Sequence, residues 1–279
     1  MKTKAETGGH GSSGPSSSGT PPSPTAPPTL AWRLGAGCWL LTALSMTACG
    51  ASSNKQDGPA EVIGEAPTTQ CGSVRMTHYT ASSGGWCEFD RTAPMLPESV
   101  RAGLTLAIAE PYDGSSYGGD PGEACGECWE ISSLTQTRVV MVHDLCPIDG
   151  NPICNGSHFH FDLSSESAAA LELEGLDEGS TRRVPCPVQG DAYLQILDRN
   201  EWGYVRFQVL NHRIPVRKIE YRAADSDLYY PAVRSGGAWQ VGEEASMFAS
   251  DGSGGVFRIT SAQGEVLEMP NTLDYGVTK

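Results

Sequence analysis

Residues 158–164 read His-Phe-His-Phe-Asp-Leu-Ser and place one carboxylate, Asp162, between aromatic and aliphatic side chains. Apolar surroundings disfavour the charged form of a carboxyl group, so we expect the pKa of Asp162 to be raised. A protonated carboxyl group in a cleft can donate a hydrogen bond, or a proton, to a sugar oxygen. The segment therefore predicts a glycan site. The structural alternative for Asp162 is to cap a following helix.

Cutting a glycan would require more than this one acid. Glycoside hydrolysis normally needs a second carboxylate across the scissile bond. The position expected for it, directly after Thr77-His78-Tyr79-Thr80, holds Ala81. The presence of an acid without this partner indicates a protein that binds polysaccharide and does not cleave it.

The charge of the chain narrows the choice of partner. The 279 residues carry a formal net charge of −14, and residues 71–190 hold 17 Asp and Glu against 6 Lys and Arg. Nucleic acid needs a basic face, which this composition does not offer. An acidic cleft also repels anionic polymers, so a neutral glycan is favoured. A simpler and compatible interpretation is that the acidity keeps an exported protein soluble.

The N-terminal part predicts export. Residues 1–29 are mostly Gly, Ser, Thr and Pro, which is typical of disorder. The 16 residues from 34 to 49 are uncharged and follow Arg33; this is shorter than the roughly 20 residues of a membrane span and predicts the apolar region of a signal peptide. The segment ends in Ala48-Cys49-Gly50, which resembles a bacterial lipoprotein signal with lipidation at Cys49. We therefore expect a secreted or cell-surface protein, either an outer-membrane lipoprotein or, after cleavage near Ala48, a freely secreted one, with residues 50–70 as a polar linker.

The remaining cysteines define a first domain. The seven that follow the signal all lie in residues 71–186: Cys71, Cys87, Cys125, Cys128, Cys146, Cys154 and Cys186. Their absence from later residues predicts a domain boundary near residue 190. In an exported chain we expect disulfides, because Cys146 and Cys154 are poorly spaced to complete a zinc site with Cys125 and Cys128. The odd number leaves one over, and we expect it to be Cys71.

Both predicted domains are mainly β. Residues 71–190 alternate short apolar runs (104–109, 128–131, 138–143) with Gly- and Pro-rich turns, which predicts a compact β-barrel. One helix is expected over residues 164–174, capped by Ser164 or Ser165.

Residues 191–279 are predicted to form a small immunoglobulin-like β-sandwich. Runs 193–197 and 204–210 flank a hairpin turn, and further strands are expected over 216–221, 228–233, 238–241, 255–260 and 265–269. In the second run Val205, Phe207 and Val209 alternate with Tyr204, Arg206 and Gln208. We expect the first three to face the core and the other three to present an aromatic and polar row.

These segments together resemble the expansin family, and in particular its microbial members, over about residues 72–270. The motifs that carry the resemblance are Thr77-His78-Tyr79, Ala107-Ile108, Tyr117-Gly118-Gly119, residues 124–131 (ACGECWEI), residues 142–147 (VHDLCP), residues 160–164 (HFDLS), residues 182–186 (RRVPC) and residues 205–221 (VRFQVLNHRIPVRKIEY). Each motif is weak by itself, but their number and order make chance a poor explanation.

The resemblance implies a six-stranded double-psi β-barrel (71–190) followed by a carbohydrate-binding β-sandwich (191–279). It implies a monomer that binds cell-wall polysaccharide, such as cellulose or xyloglucan, and loosens it without hydrolysis, cofactor or metal. It places Asp162, Asp144, Thr77 and Tyr79 in a wall-loosening groove. It also implies the disulfides Cys87–Cys125, Cys128–Cys186 and Cys146–Cys154.

Sugar stacking in the second domain requires flat exposed aromatic rings, because a pyranose has an apolar C–H face. The candidates are Trp202, Tyr204 and Trp239. The family's aromatic platform falls near Gly203 and Tyr204, so Gly203 departs from the pattern and Trp202 is the candidate to compensate. Trp239 also has a core-filling alternative, and ordinary strand packing is the alternative for Thr77 and Tyr79. For Asp144 the alternative is a turn residue that supports the bend at Cys146-Pro147.

Three other functions remain open at this stage. The first is a β-1,4-endoglucanase with Asp162 as general acid and Asp144 as a substitute base. The second is a peptidoglycan lytic transglycosylase, which the lipoprotein-like signal favours and the match of residues 205–221 disfavours. The third is a pure carbohydrate-binding module without mechanical effect.

Overall fold

The computed structural model describes residues 71–81, 84–114, 120–200, 204–223, 226–241 and 255–270. All of them belong to one compact unit, Met46–Lys279. The predicted signal peptide, Cys49, the linker and Trp202 lie outside these ranges. Over the ranges described, no helix combines the length and the apolar character needed to cross a membrane.

Six strands close into a barrel in the order β1-β5-β2-β4-β3-β6. They are β1 (Gly72–Tyr79), β2 (Thr105–Ala109), β3 (Cys128–Ser132), β4 (Thr137–Cys146), β5 (His160–Ser164) and β6 (Asp177–Val184). The pairs β1–β5 and β2–β4 are parallel, and the other four are antiparallel. The predicted six-stranded double-psi barrel is confirmed.

Eight further strands form two four-stranded sheets, ordered β10-β9-β13-β14 and β11-β12-β8-β7. They are β7 (Tyr193–Arg199), β8 (Val205–Leu210), β9 (Val216–Arg222), β10 (Tyr230–Pro231), β11 (Val233–Ser235), β12 (Ala238–Val241), β13 (Val256–Ser261) and β14 (Val266–Pro270). Val205, Phe207 and Val209 are buried in the core shared by the sheets, as predicted. The predicted β-sandwich is confirmed, whereas the boundary at residue 190 stays a prediction.

The helices are short. Helix α1 (Glu98–Arg101) precedes β2, and helix α2 (Ser165–Ala170) follows β5. Ser164 caps α2 by accepting a hydrogen bond from the Ser167 N–H at 3.0 Å, so the cap is Ser164 and not Asp162. The prediction of a helix to residue 174 is wrong, because Glu172 has a left-handed φ of 57°. That conformation ends the helix and leaves Leu171 buried against the barrel.

The three predicted disulfides are present. Cys87–Cys125, Cys128–Cys186 and Cys146–Cys154 have Cα–Cα distances of 5.5, 5.1 and 6.0 Å. Cys71 is also disulfide-bonded, so the expectation that it is left over is wrong. That expectation followed from an odd count that set the cysteines before residue 70 aside.

The polar row of strand β8 does not face open solvent. Arg206 forms a double ion pair with Glu88, and the buried Gln208 side chain donates to the carbonyl oxygens of Cys87 and Gly237. Arg206 and Gln208 thus lie on the face opposite the core, as predicted, and this face packs against Cys87, Glu88 and Gly237. Alternation along a strand shows which residues share a face, but not what covers that face.

Candidate functional site: a polar groove on the barrel

Strand alternation brings the candidate groove residues onto one face. In β5 the side chains of Phe161 and Leu163 are fully buried, whereas Asp162 between them is partly exposed. Directly paired residues on neighbouring strands share a face. The register pairs Thr77 with Asp162 and Ala107 with both Asp162 and Asp144. Thr77, Asp162, Ala107 and Asp144 therefore form a row across four adjacent strands.

Asp162 is a half-buried acid with one hydrogen bond. The Thr77 hydroxyl donates to its Oδ1 at 2.7 Å. Burial raises the pKa of Asp162, and the nearby Asp144 adds to this effect, while the Thr77 hydrogen bond and His78 act in the opposite direction. The predicted rise of the Asp162 pKa is confirmed, with desolvation as its main cause.

Asp144 is held by three donors. Its Oδ1 accepts the backbone N–H groups of Trp86 at 2.7 Å and Leu145 at 2.9 Å. Its Oδ2 accepts the Tyr79 hydroxyl at 3.0 Å. Tyr79 thus reaches from the end of β1 to Asp144 on β4. Burial and the adjacent Asp144 raise the pKa of the Tyr79 phenol far above its ordinary value, so this hydroxyl stays protonated and donates.

His160 lies behind the row and was not predicted as a site residue. Its side chain is fully buried, and its Nε2 lies 2.9 Å from Thr77 Oγ1. Burial, with a contribution from Arg75, lowers the pKa of His160 to about 4, so the ring is neutral near pH 7. Its sequence signal was the alternation in the 158–164 segment, which places His160 on the same strand face as Asp162.

Trp86 is a second residue that the sequence did not single out. It is an exposed aromatic side chain (37 %) whose backbone donates to Asp144. The turn at Gly236 and Gly237 lies against Trp86 and Cys87. Because its position depends on contacts with distant residues, spacing along the chain could not reveal that Trp86 borders the row.

The predicted stacking aromatics differ in exposure. Tyr204 is half-buried at the start of β8. Trp239 is only 4 % exposed and packs in the sandwich core, with the Arg234 guanidinium 4.1 Å from its ring centroid. The prediction of Trp239 as a sugar platform is wrong, because stacking needs an uncovered ring face. Trp202 lies outside the described residues.

In the parts of the chain that the structure describes, no group of three or more His, Cys, Asp or Glu side chains is arranged to hold a metal ion. The groove itself offers hydroxyl, carboxyl and phenol groups. These can donate and accept hydrogen bonds to a polyhydroxylated ligand.

Residues 74–190 match the family model described as EXPB1-like domain 1. Expansin-like protein 1 of Dictyostelium discoideum is 28 % identical over 165 residues, covering 57 % of this chain and 54 % of that protein. Expansin-like protein 2 of the same organism is 29 % identical over 163 residues, covering 56 % and 37 %. The chain thus matches about half, or less, of the length of these curated relatives.

Among solved structures, the apo crystal structure of Clavibacter michiganensis expansin superposes with a TM-score of 0.54 at 20 % identity, covering 74 % of this chain and 92 % of that one. A point mutant of the same expansin in complex with cellohexaose gives the same values. At this identity the likeness is one of fold. The family model and the curated relatives lead to one conclusion: residues 74–190 are a first domain of the expansin family.

Proposed function

We propose that this protein binds a neutral cell-wall polysaccharide, cellulose or a related β-glucan, in the groove of the barrel and loosens it without hydrolysis. The observation that carries the proposal is the single acid Asp162, whose pKa is raised by burial and whose Oδ1 is already bonded to Thr77. In its protonated form, the carboxyl group donates a hydrogen bond to a glucan oxygen. Such a bond competes with the contacts between glucan chains and needs no covalent step.

The surroundings of Asp144 support binding over cleavage. Hydrolysis with inversion needs a carboxylate free to take a proton from water. Asp144 accepts hydrogen bonds from Tyr79, Trp86 and Leu145. Both of its oxygens are thus already engaged by donors, which leaves fewer lone pairs to accept from a water molecule. With Ala81 at the other expected position, the groove has a donor acid and no matching base.

The relatives support the polymer class. Clavibacter michiganensis expansin, which shares the fold, has been crystallised as a mutant with cellohexaose, a cello-oligosaccharide. We extend this to the present chain and propose a β-glucan as its ligand. We further propose that residues 191–279 act as a carbohydrate-binding domain with Tyr204 and Trp202 at its surface. Export through residues 1–49, with lipidation of Cys49 or free secretion, places the protein at a wall.

Constant-load extension of an inactivated cellulosic wall strip tests the proposal. The full chain should extend the strip while releasing no soluble sugar. Release of sugar from glucan, or of muropeptides from peptidoglycan, would instead make Asp162 the general acid of an endoglucanase or transglycosylase, with Asp144 as the group to test next. Binding with neither extension nor release would identify a pure carbohydrate-binding module.

Two variants of the acid separate its roles. Asp162→Ala removes the donor and should abolish extension. Asp162→Asn keeps a donor of the same shape, but the amide is weaker and does not titrate, so extension should fall and lose its pH dependence. Unchanged extension with an unchanged pH profile in the folded Asn variant would contradict a role for the carboxyl proton.

A further inference from the structure

Three side chains form a continuous hydrogen-bonded chain that runs from the fully buried His160 to the partly exposed Asp162 in the groove. His160 Nε2 lies 2.9 Å from Thr77 Oγ1, and Thr77 Oγ1 lies 2.7 Å from Asp162 Oδ1. The Thr77 hydroxyl has one hydrogen and can donate to only one of its two neighbours. The direction of the chain therefore depends on which ring nitrogen of His160 carries a proton.

The surroundings of His160 decide this question. The ring is fully buried, and its Nδ1 has no hydrogen-bond partner among the described residues. A neutral imidazole has one N–H group. A proton on Nδ1 would leave a buried donor unpaired, and unpaired buried N–H groups are rarer than unpaired acceptors. A proton on Nε2 gives that donor a partner, the Thr77 oxygen.

With His160 donating, the rest of the chain is fixed. Thr77 Oγ1 accepts from His160 and must direct its own hydrogen to Asp162 Oδ1. Asp162 Oδ1 is then an acceptor in both protonation states. Asp162 Oδ2 has no hydrogen-bond partner in the part of the chain that the structure describes, and it is the oxygen left for a ligand.

We propose that His160 is a positioning residue: acting through Thr77, it confines the acidic proton of Asp162 to Oδ2, the oxygen that can donate to a polysaccharide. This deepens the function proposed above and rests on it for its purpose, although the placement of the proton can be measured without any ligand. In the reverse arrangement, Asp162 would donate to Thr77 and its proton would point away from the ligand.

Among the described residues, four titratable or charged side chains act on the hydrogen-bonded chain. Arg75 and His158 act on His160, and both disfavour its protonation. His78 and Asp144 act on Asp162, in opposite directions. None of these four side chains accepts a hydrogen bond from Thr77 in the described structure. The direction of the hydrogen-bonded chain therefore depends on His160.

Nitrogen-15 NMR of the full chain tests the direction. Two-bond proton–nitrogen correlations near neutral pH should show a neutral His160 ring with its proton on Nε2. A neutral ring with its proton on Nδ1 would overturn the proposal, because Nε2 could then only accept from Thr77. The measurement uses the wild-type protein and no polysaccharide. A protein that passes this test but never extends a wall would refute the proposed function and leave the role of His160 intact.

A matched pair of variants tests the consequence. His160→Gln can supply an amide N–H to Thr77, whereas His160→Leu cannot. In the Leu variant Thr77 is free to accept a hydrogen bond from neutral Asp162, so the pKa of Asp162 should rise, and the Gln variant should restore most of the wild-type value. Carbon-13 titration of the Asp162 carboxyl in each folded variant gives this readout. Equal Asp162 pKa values in wild type, Gln and Leu variants would contradict the positioning role.

Discussion

Glu127 gives this fold a stability that should fall as the pH rises from about 4.5 to about 7. Its side chain is buried, with Arg183 Nε 3.3 Å from its Oε2. Burial raises the pKa of Glu127 from 4.5 to about 7, although Arg183 and Arg217 act in the opposite direction and Glu123 adds slightly to the rise. The folded state therefore holds this proton more tightly than the unfolded chain does.

The sign and the size follow from linkage. The contribution of Glu127 to the free energy of unfolding is complete below the pKa of the unfolded chain, 4.5. It is lost as the pH rises through the folded-state pKa of about 7. Because one pKa unit corresponds to about 1.36 kcal/mol, this shift makes the folded state about 3 kcal/mol less stable at high pH, relative to low pH, than it would be without the shift. Glu127→Gln keeps the size and the polar contacts of the side chain but does not titrate.

Urea unfolding between pH 5 and pH 9 measures the effect, with tryptophan fluorescence as the signal. The free energy of unfolding of the wild type should fall relative to that of Glu127→Gln, and the gap should reach about 3 kcal/mol above pH 8. Other titrating groups affect both proteins alike, so the difference isolates Glu127. A difference that stays constant across the whole range would refute the reasoning and indicate that Glu127 is ionised and paired with Arg183 throughout.

The other predictions concern the groove, the disulfides and the second sheet. Tyr79→Phe removes the hydroxyl that donates to Asp144. It should lower the free energy of unfolding by about 1 kcal/mol and reduce wall extension. Unchanged extension would mean that Tyr79 has only a packing role. Replacing Cys87 and Cys125 together by serine opens a loop with a sequence separation of 38. The free energy of unfolding in urea should fall by about 4 kcal/mol. A fall below about 1 kcal/mol would contradict the loop-entropy explanation. Tyr204→Ala should weaken pull-down on cellulose without changing the melting temperature, and unchanged binding would remove Tyr204 from the surface platform.

The parts of the site that the sequence predicted are those set by local pattern. The motifs around Thr77, Asp144 and Asp162 predicted a shared groove, and the strand register brings these side chains onto one face. The raised pKa of Asp162 followed from its apolar neighbours in the chain. His160 was within the same motif, but its role depends on a hydrogen bond across 83 residues to Thr77.

The predictions that failed depend on what packs against an element. The sequence around Trp239 allows a surface or a core position. The structure pairs Trp239 with the buried Phe207, and this pairing places it in the core. The strand expected over residues 228–233 is divided into β10 and β11. The pattern of α2 continues beyond Ala170, but the positive φ of Glu172 ends the helix.

The contact between strand β8 and the barrel has a mechanical consequence. Arg206 and Gln208 hold Glu88 and Cys87, and the preceding residue, Trp86, supports Asp144 in the groove. A force applied to the sheet that contains β8 is transmitted to the groove through three consecutive residues, 86–88, with no flexible segment between them. Under the proposed function, a polysaccharide bound at both places would therefore be held through a stiff connection.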